Sequence, residues 1–171
     1  MEGGTRVPCI LRFSGVIPGG EVTDKLTTAI DLLPTLAAAY GIKLKEGSGI
    51  APKLDGLNLW ESLQGKAQAH PRKSLLYWHG WAMPQAIRVG DWKLYLDKVK
   101  EIPGTNKGPV LIDLSKDPGE EKDLASEHPE KVKELKELAS KLLSEIEENS
   151  ISLGGPVNLK KQKKKGAFWL K

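Results

Sequence analysis

Few residues here have the types and spacings that reactions need. The histidines are His70, His79 and His128. His70 and His128 each precede a proline in polar surroundings, which suits a loop or a helix cap better than proton transfer. His79 stands in Tyr77-Trp78-His79-Gly80-Trp81, at the end of a predicted strand. Such a site serves either as a satisfied rim of the core or as a surface on which a ring-shaped ligand stacks. The single cysteine, Cys9, allows neither an internal disulfide nor a thiolate zinc site. Inside the apolar run Val7 to Phe13 it reads as a small buried hydrophobe. The carboxylates Asp113, Asp117, Glu120 and Glu121 are close in sequence, but Asp117-Pro118-Gly119-Glu120 is first of all a turn, and the spacing fits no EF-hand. Gly3-Gly4 and Gly154-Gly155 are isolated pairs without the spacing of a phosphate-cradling loop.

The elements that must position these residues change character along the chain. Val7 to Phe13 reads as a strand with no hairpin partner nearby, made to join a sheet whose other strands lie elsewhere. Asp31 is a candidate N-cap for a short helix with Pro34 in its first turn, Leu33, Leu36, Ala37 and Tyr40 on its buried face, and Gly41 as its stop. Residues 43–72 are rich in Gly, Pro and Lys and read as a surface excursion, with one short turn of structure within Leu57 to Leu63. Strands follow at Leu75 to Trp78, Ala86 to Val89, Trp92 to Leu96 and Val110 to Leu114, the middle two joined by a Gly90-Asp91 turn. Trp92, Leu94 and Leu96 alternate with Lys93, Tyr95 and Asp97, giving one apolar face and one mixed face able to meet water. A helix from Pro129 to about Glu148, striped by Val132, Leu135, Leu138, Leu142 and Ile146, is the natural cover for the apolar face. The fold class is therefore α+β: an antiparallel sheet of about four strands covered by a C-terminal helix.

The 171 residues suffice for one ordinary domain or a small domain with an appendage. Their net charge of +4 is concentrated in a tail. Removing Lys160, Lys161, Lys163, Lys164, Lys165 and Lys171 from the 26 basic residues leaves 20 against 22 acidic ones, a formal −2 for residues 1–159. The body thus carries no electrostatic footprint for nucleic acid, and the lysine run reads as a basic, flexible tail. No run of about 18 apolar residues is present to span a membrane. The opening residues Met1 to Pro8 have neither the basic nor the apolar region of a signal peptide.

Four segments, in order, resemble the C-terminal portion of a sulfatase of the formylglycine-dependent, arylsulfatase type. Glu2-Gly3-Gly4-Thr5-Arg6-Val7-Pro8 is similar to the family's Glu-Gly-Gly-x-Arg-Val-Pro segment, and Asp31-Leu32-Leu33-Pro34-Thr35-Leu36 to its Asp-Leu-x-Pro-Thr helix. Ala86-Ile87-Arg88-Val89-Gly90-Asp91-Trp92-Lys93-Leu94 resembles its Ala-x-Arg-x-Gly-x-x-Lys hairpin. Leu111-Ile112-Asp113-Leu114 with Asp117-Pro118-Gly119-Glu120 and Leu124-Ala125 resembles the closing strand and turn, and Asp55-Gly56-Leu57-Asn58-Leu59 fits the connecting region.

The resemblance implies that residues 1–65 are the closing strand and helix of an alkaline-phosphatase-like α/β catalytic domain. It makes residues 66–150 the α+β C-terminal subdomain and leaves 151–171 as the tail. It further implies a full-length parent that hydrolyses sulfate esters with calcium and a formylglycine, on a sulfated small molecule or glycan, in an exported or lysosomal setting. Cys9-Ile10-Leu11-Arg12 is not the family's Cys-x-Pro-x-Arg maturation motif, and no catalytic or metal-ligating residue of the family maps onto this chain. The chain alone is accordingly expected to be inactive and to need the N-terminal catalytic portion as its partner. His79, Trp81 and Arg88 are the residues expected on the rim of the parent's substrate pocket. The alternative is a non-catalytic module that binds sulfated glycan or a partner subunit through the aromatic rim and Lys160 to Lys165.

Overall fold

A computed structural model describes residues 2–44, 54–66, 72–79, 83–96 and 108–150. Two 3-10 turns, Glu2–Gly4 and Ala29–Asp31, precede helices α1 (Leu32–Ala39) and α2 (Trp60–Leu63). Strands β1 (Ser74–His79), β2 (Met83–Val89), β3 (Trp92–Tyr95) and β4 (Val110–Asp113) follow, and helix α3 (Pro129–Asn149) closes the order. The strands form one antiparallel sheet in the order β1-β2-β3-β4. Its tight turn between β2 and β3 is made by Gly90, whose φ of 58° lies in the left-handed region that glycine enters without steric cost.

The register sorts the side chains into two faces. Leu76, Ile87, Leu94 and Leu111 line up across all four strands, and this row packs beneath Leu135 and Ala139 of α3. Pro129 starts α3 where its missing N–H costs nothing, and Val132, Leu138, Leu142 and Leu143 flank the buried pair. Ile146 is exposed, so the buried stripe runs through Ala139 and Leu143 and ends before it. His128 sits at the N-cap position without capping through its side chain, and its ring stands edge-on to Trp92 at 5.2 Å. The outer edge of β4 is occupied, since the Leu111 N–H donates to Asp123 and its carbonyl accepts from the Leu124 N–H. Closing an edge in this way removes a template for unwanted strand pairing.

The opposite face corrects the expectation that it meets water. Two rows cross it, Tyr77-Ala86-Tyr95-Val110 and Leu75-Arg88-Lys93-Ile112. Lys93 is 2% and Tyr95 1% exposed. Glu2 from the N-terminal turn and Glu120 from the loop after β4 cover this face, and alternation along one strand does not announce such a cover.

Four further expectations change in the first part of the chain. Residues 7–13 are not a strand: they pair with no strand among the described residues, and the Phe13 carbonyl accepts from the Val16 and Ile17 N–H groups in a local turn. Cys9 is consequently exposed rather than buried. Asp31 precedes α1 but does not cap it, because its carboxylate is engaged elsewhere. Helix α1 buries Pro34, Thr35 and Ala37 and exposes Leu33, Leu36 and Tyr40, since the segment after residue 54 covers only one of its sides.

Candidate functional site

Among the described residues, charged side chains gather on the mixed face of the sheet. Arg88 and Lys93, paired across β2 and β3, project there between Tyr77 and Tyr95. The Glu2 carboxylate accepts on one oxygen from Lys93 Nζ at 2.9 Å and Tyr77 Oη at 3.3 Å, and on the other from Arg88 Nη1 at 3.1 Å. Lys93 Nζ also donates to Glu120 at 2.7 Å, and the second Glu120 oxygen accepts from Tyr95 Oη at 2.7 Å. The ammonium lies over both phenol rings, 4.6 Å from the centre of Tyr77 and 5.0 Å from that of Tyr95. Each of these buried carboxylates faces a cation, which is how charges persist away from water.

Local backbone geometry serves this arrangement. Arg88 Nε donates to the carbonyl of Gly90 at 2.9 Å, which fixes the guanidinium plane on the turn. Glu120 adopts φ 58°, an uncommon conformation for a residue with a side chain, and this turns its carboxylate under the sheet. Asp117 steadies the loop by accepting from the Glu121 and Lys122 N–H groups, both at 2.8 Å. Burial alone would raise the Glu120 carboxyl, but the hydrogen bonds from Lys93 and Tyr95 and the Lys93 charge hold it below its ordinary value. Burial, then Glu120, pushes the Tyr95 phenol well up; burial, then the Glu2 charge, raises Tyr77.

A second cluster joins α1 to the start of the sheet. Asp31 accepts from the Leu57 N–H at 2.7 Å, the Thr28 N–H at 3.0 Å and Arg72 Nε at 2.8 Å, and pairs again with Arg72 Nη2. Arg72 Nη2 donates onward to the Asp55 carbonyl at 3.0 Å, while Thr35 Oγ1 accepts from the Leu59 N–H at 2.9 Å. The Asp-Leu-Leu-Pro-Thr segment is thereby stitched to Asp55-Gly56-Leu57-Asn58-Leu59. Burial opposes ionisation of Asp31, yet Arg72 and the Leu57 and Thr28 N–H groups hold its carboxyl below the usual range.

Of the residues singled out for a pocket rim, Arg88 is 9% exposed and bound to Glu2 and Gly90. His79 ends β1, while its side chain and Trp81 lie outside the described residues, as do His70 and Lys160 to Lys165. Sequence reading missed Glu2, Lys93 and Glu120 as one cluster. The available signal was Tyr77, Arg88, Lys93 and Tyr95 falling on one face at a period of two. Calcium, implied by the resemblance, finds no fit here: among the described residues no group of three or more His, Cys, Asp or Glu could hold a metal ion.

Comparison with known proteins gives a consistent picture. No protein-family profile matches the chain. Human arylsulfatase A is 33% identical over 160 residues, covering 80% of this chain and 30% of its own length. A sulfatase of Formosa agariphila is 35% identical over 144 residues, 75% of this chain and 24% of that protein. N-acetylgalactosamine-6-O-sulfatase of Bacteroides thetaiotaomicron is 32% identical, covering 80% of this chain and 27% of that protein. The chain thus spans 24% to 30% of the length of these relatives. Among solved structures, one from Bacteroides thetaiotaomicron, described with the metabolism of multiple glycosaminoglycans, superposes with TM-score 0.50 at 29% identity over 66% of this chain and 24% of its own. Ps i-CgsB, at TM-score 0.56 and 24% identity over 76% of this chain and 27% of its own, shares the fold.

Proposed function

This chain belongs to the sulfatase family, whose members hydrolyse sulfate esters, and matches its C-terminal portion, and on that premise we propose that it is the closing subdomain of a sulfate-ester hydrolase and is inactive alone. The observation that carries this reading is the pair of buried ionic links, Glu2 with Arg88 and Lys93, and Asp31 with Arg72. They bind the N-terminal segment and α1 to the α+β unit, while Leu33, Leu36 and Tyr40 keep an apolar side open for the rest of a catalytic domain. Exposed apolar surface of this kind marks an interface. On this division residues 1–65 complete the catalytic domain, residues 66–150 form the C-terminal subdomain and residues 151–171 are an appended basic tail.

The nucleophile, the formylglycine and the calcium belong in this reading to the N-terminal catalytic portion, which is the chain's partner. When bound, calcium would neutralise charge on the sulfate oxygens. The residues of this chain hold the subdomain in place: Arg88 and Lys93 grip Glu2, and Arg72 grips Asp31. His79, Trp81 and Arg88 are the candidates for the pocket rim. The substrate is a sulfated small molecule or glycan, and the whole protein works in an exported or lysosomal setting.

The test is a chimera in which this chain replaces the matched C-terminal portion of a family relative. Retained hydrolysis of an aryl sulfate or a sulfated sugar is expected. A chimera that folds, as judged by circular dichroism, yet has lost all hydrolysis would speak against the reading.

A further inference from the structure

Among the described residues from 2 to 30, Glu2 alone is buried. Residues 5–28, which follow its 3-10 turn, form neither helix nor strand, and Val7, Ile10 and Val22 stand in solvent. Within residues 2–30 the Glu2 side chain is thus the one enclosed by the sheet face, where Tyr77, Arg88 and Lys93 receive its carboxylate. We propose that Arg88, Lys93 and Tyr77 form a carboxylate-binding socket on the sheet face opposite α3, that Glu2 is its internal ligand, and that the socket accepts the same Glu-Gly-Gly segment from a separate chain.

The geometry reads both carboxylate oxygens. One faces Lys93 Nζ and Tyr77 Oη, and the other faces Arg88 Nη1. A side-chain amide would turn its NH2 group against a cation at one of these positions, so the socket discriminates Glu from Gln. Charge sets the same preference. Without Glu2, Arg88 and Lys93 lose the carboxylate that both of them face. A carboxylate supplies that anion again, whereas an uncharged group would leave the two cations without it away from water. The socket is organised independently of its ligand, because Arg88 is fixed by the Gly90 carbonyl and Lys93 by Glu120 and the two phenol rings. Preorganisation of this kind lowers the cost of binding. The segment contributes a matching shape: the Glu2 carbonyl accepts from the Thr5 and Arg6 N–H groups at 2.9 and 2.6 Å, and Gly3 and Gly4 make the turn between.

The probe is an acetylated, C-terminally labelled peptide of residues 2–8, titrated by fluorescence anisotropy against the full chain and its Glu2→Ala variant. In the unmodified chain the internal carboxylate competes at an effective concentration on the order of millimolar. The Glu2→Ala chain should therefore bind the peptide at least about tenfold more tightly than the unmodified chain. A peptide with Gln in place of the glutamate should not bind either. A Glu2→Ala chain that keeps its circular dichroism and binds the two peptides equally, or binds neither, overturns the proposal. Should that variant fail to fold, the isosteric Glu2→Gln chain decides by hydrogen exchange. Loss of protection confined to Thr5 and Arg6 is expected, and loss throughout β2 and β3, or no change, contradicts a ligand-like role. Neither readout requires sulfate-ester hydrolysis, so this proposal stands or falls apart from the proposed function.

Discussion

The Glu2 carboxylate and the Lys93 ammonium meet at 2.9 Å across 91 positions of sequence, both out of contact with water. That single contact ties the first residues of the chain to the centre of a sheet formed much later. Lys93 is the hub of the cluster because it also holds Glu120.

Replacing Lys93 with alanine should leave Glu2 and Glu120 facing each other's charge without their shared cation. Breaking a buried pair in this way costs about 3–5 kcal/mol. Urea unfolding should show that loss in the midpoint. The Lys93→Ala, Glu120→Ala double variant should lose less than the sum of its parts, because the two side chains interact directly.

Gly56 tests the stitching around Asp31. A β-carbon there would sit 2.0 Å from the Ile30 carbonyl oxygen, which is backbone and cannot swing aside. Gly56→Ala should cost about 1–3 kcal/mol as an overpacking substitution. Hydrogen exchange should place the damage at the Leu57 and Leu59 amides, which donate to Asp31 and Thr35.

The apolar face of the sheet depends on Leu135, which is fully buried between α3 and the row Leu76, Ile87, Leu94 and Leu111. Leu135→Ala should lower stability by about 2–5 kcal/mol through lost burial and the cavity left behind. Ile146→Ala, on the same helix but exposed, should stay within about 0.5 kcal/mol. Thermal unfolding of the pair distinguishes the two positions.

Acid should weaken both ionic links. The folded-state carboxyls of Asp31 and Glu120 lie below their ordinary values of 3.8 and 4.5, so the folded state binds fewer protons than the unfolded chain in that region. Their stabilisation is present above those ordinary values and is lost as pH falls through the folded ones. Asp31→Asn should flatten part of this acid limb. The Tyr95 phenol is raised above its ordinary 10.0, so its contribution is complete below that pH and declines as pH rises beyond it. Tyr95→Phe should remove that share of the alkaline limb in a plot of unfolding free energy against pH.

Much of the α+β unit was legible in the sequence, because period-two alternation, the Gly90-Asp91 turn and the stripe on α3 are local signals. The second face of the sheet was not. Lys93 and Tyr95 look solvent-facing when read along β3, and only the arrival of Glu2 and Glu120 from distant positions buries them. The first part of the chain misled for a related reason. Val7 to Phe13 has the composition of a strand, but a strand exists only with a partner, and none is present among the described residues. Asp31 has the type and place of an N-cap, yet Arg72 and Leu57 engage its carboxylate instead. The motif segments were recognisable as sequence, whereas the pairing of one motif with another arises only in the folded chain.

The central claim is that this chain is a closing subdomain whose chemistry resides in a partner portion. It is tested most directly by incubating the purified chain with calcium and a chromogenic aryl sulfate and following release of the phenol. No release above the buffer rate is expected. Release that scales with chain concentration and disappears on chelation of calcium would contradict it.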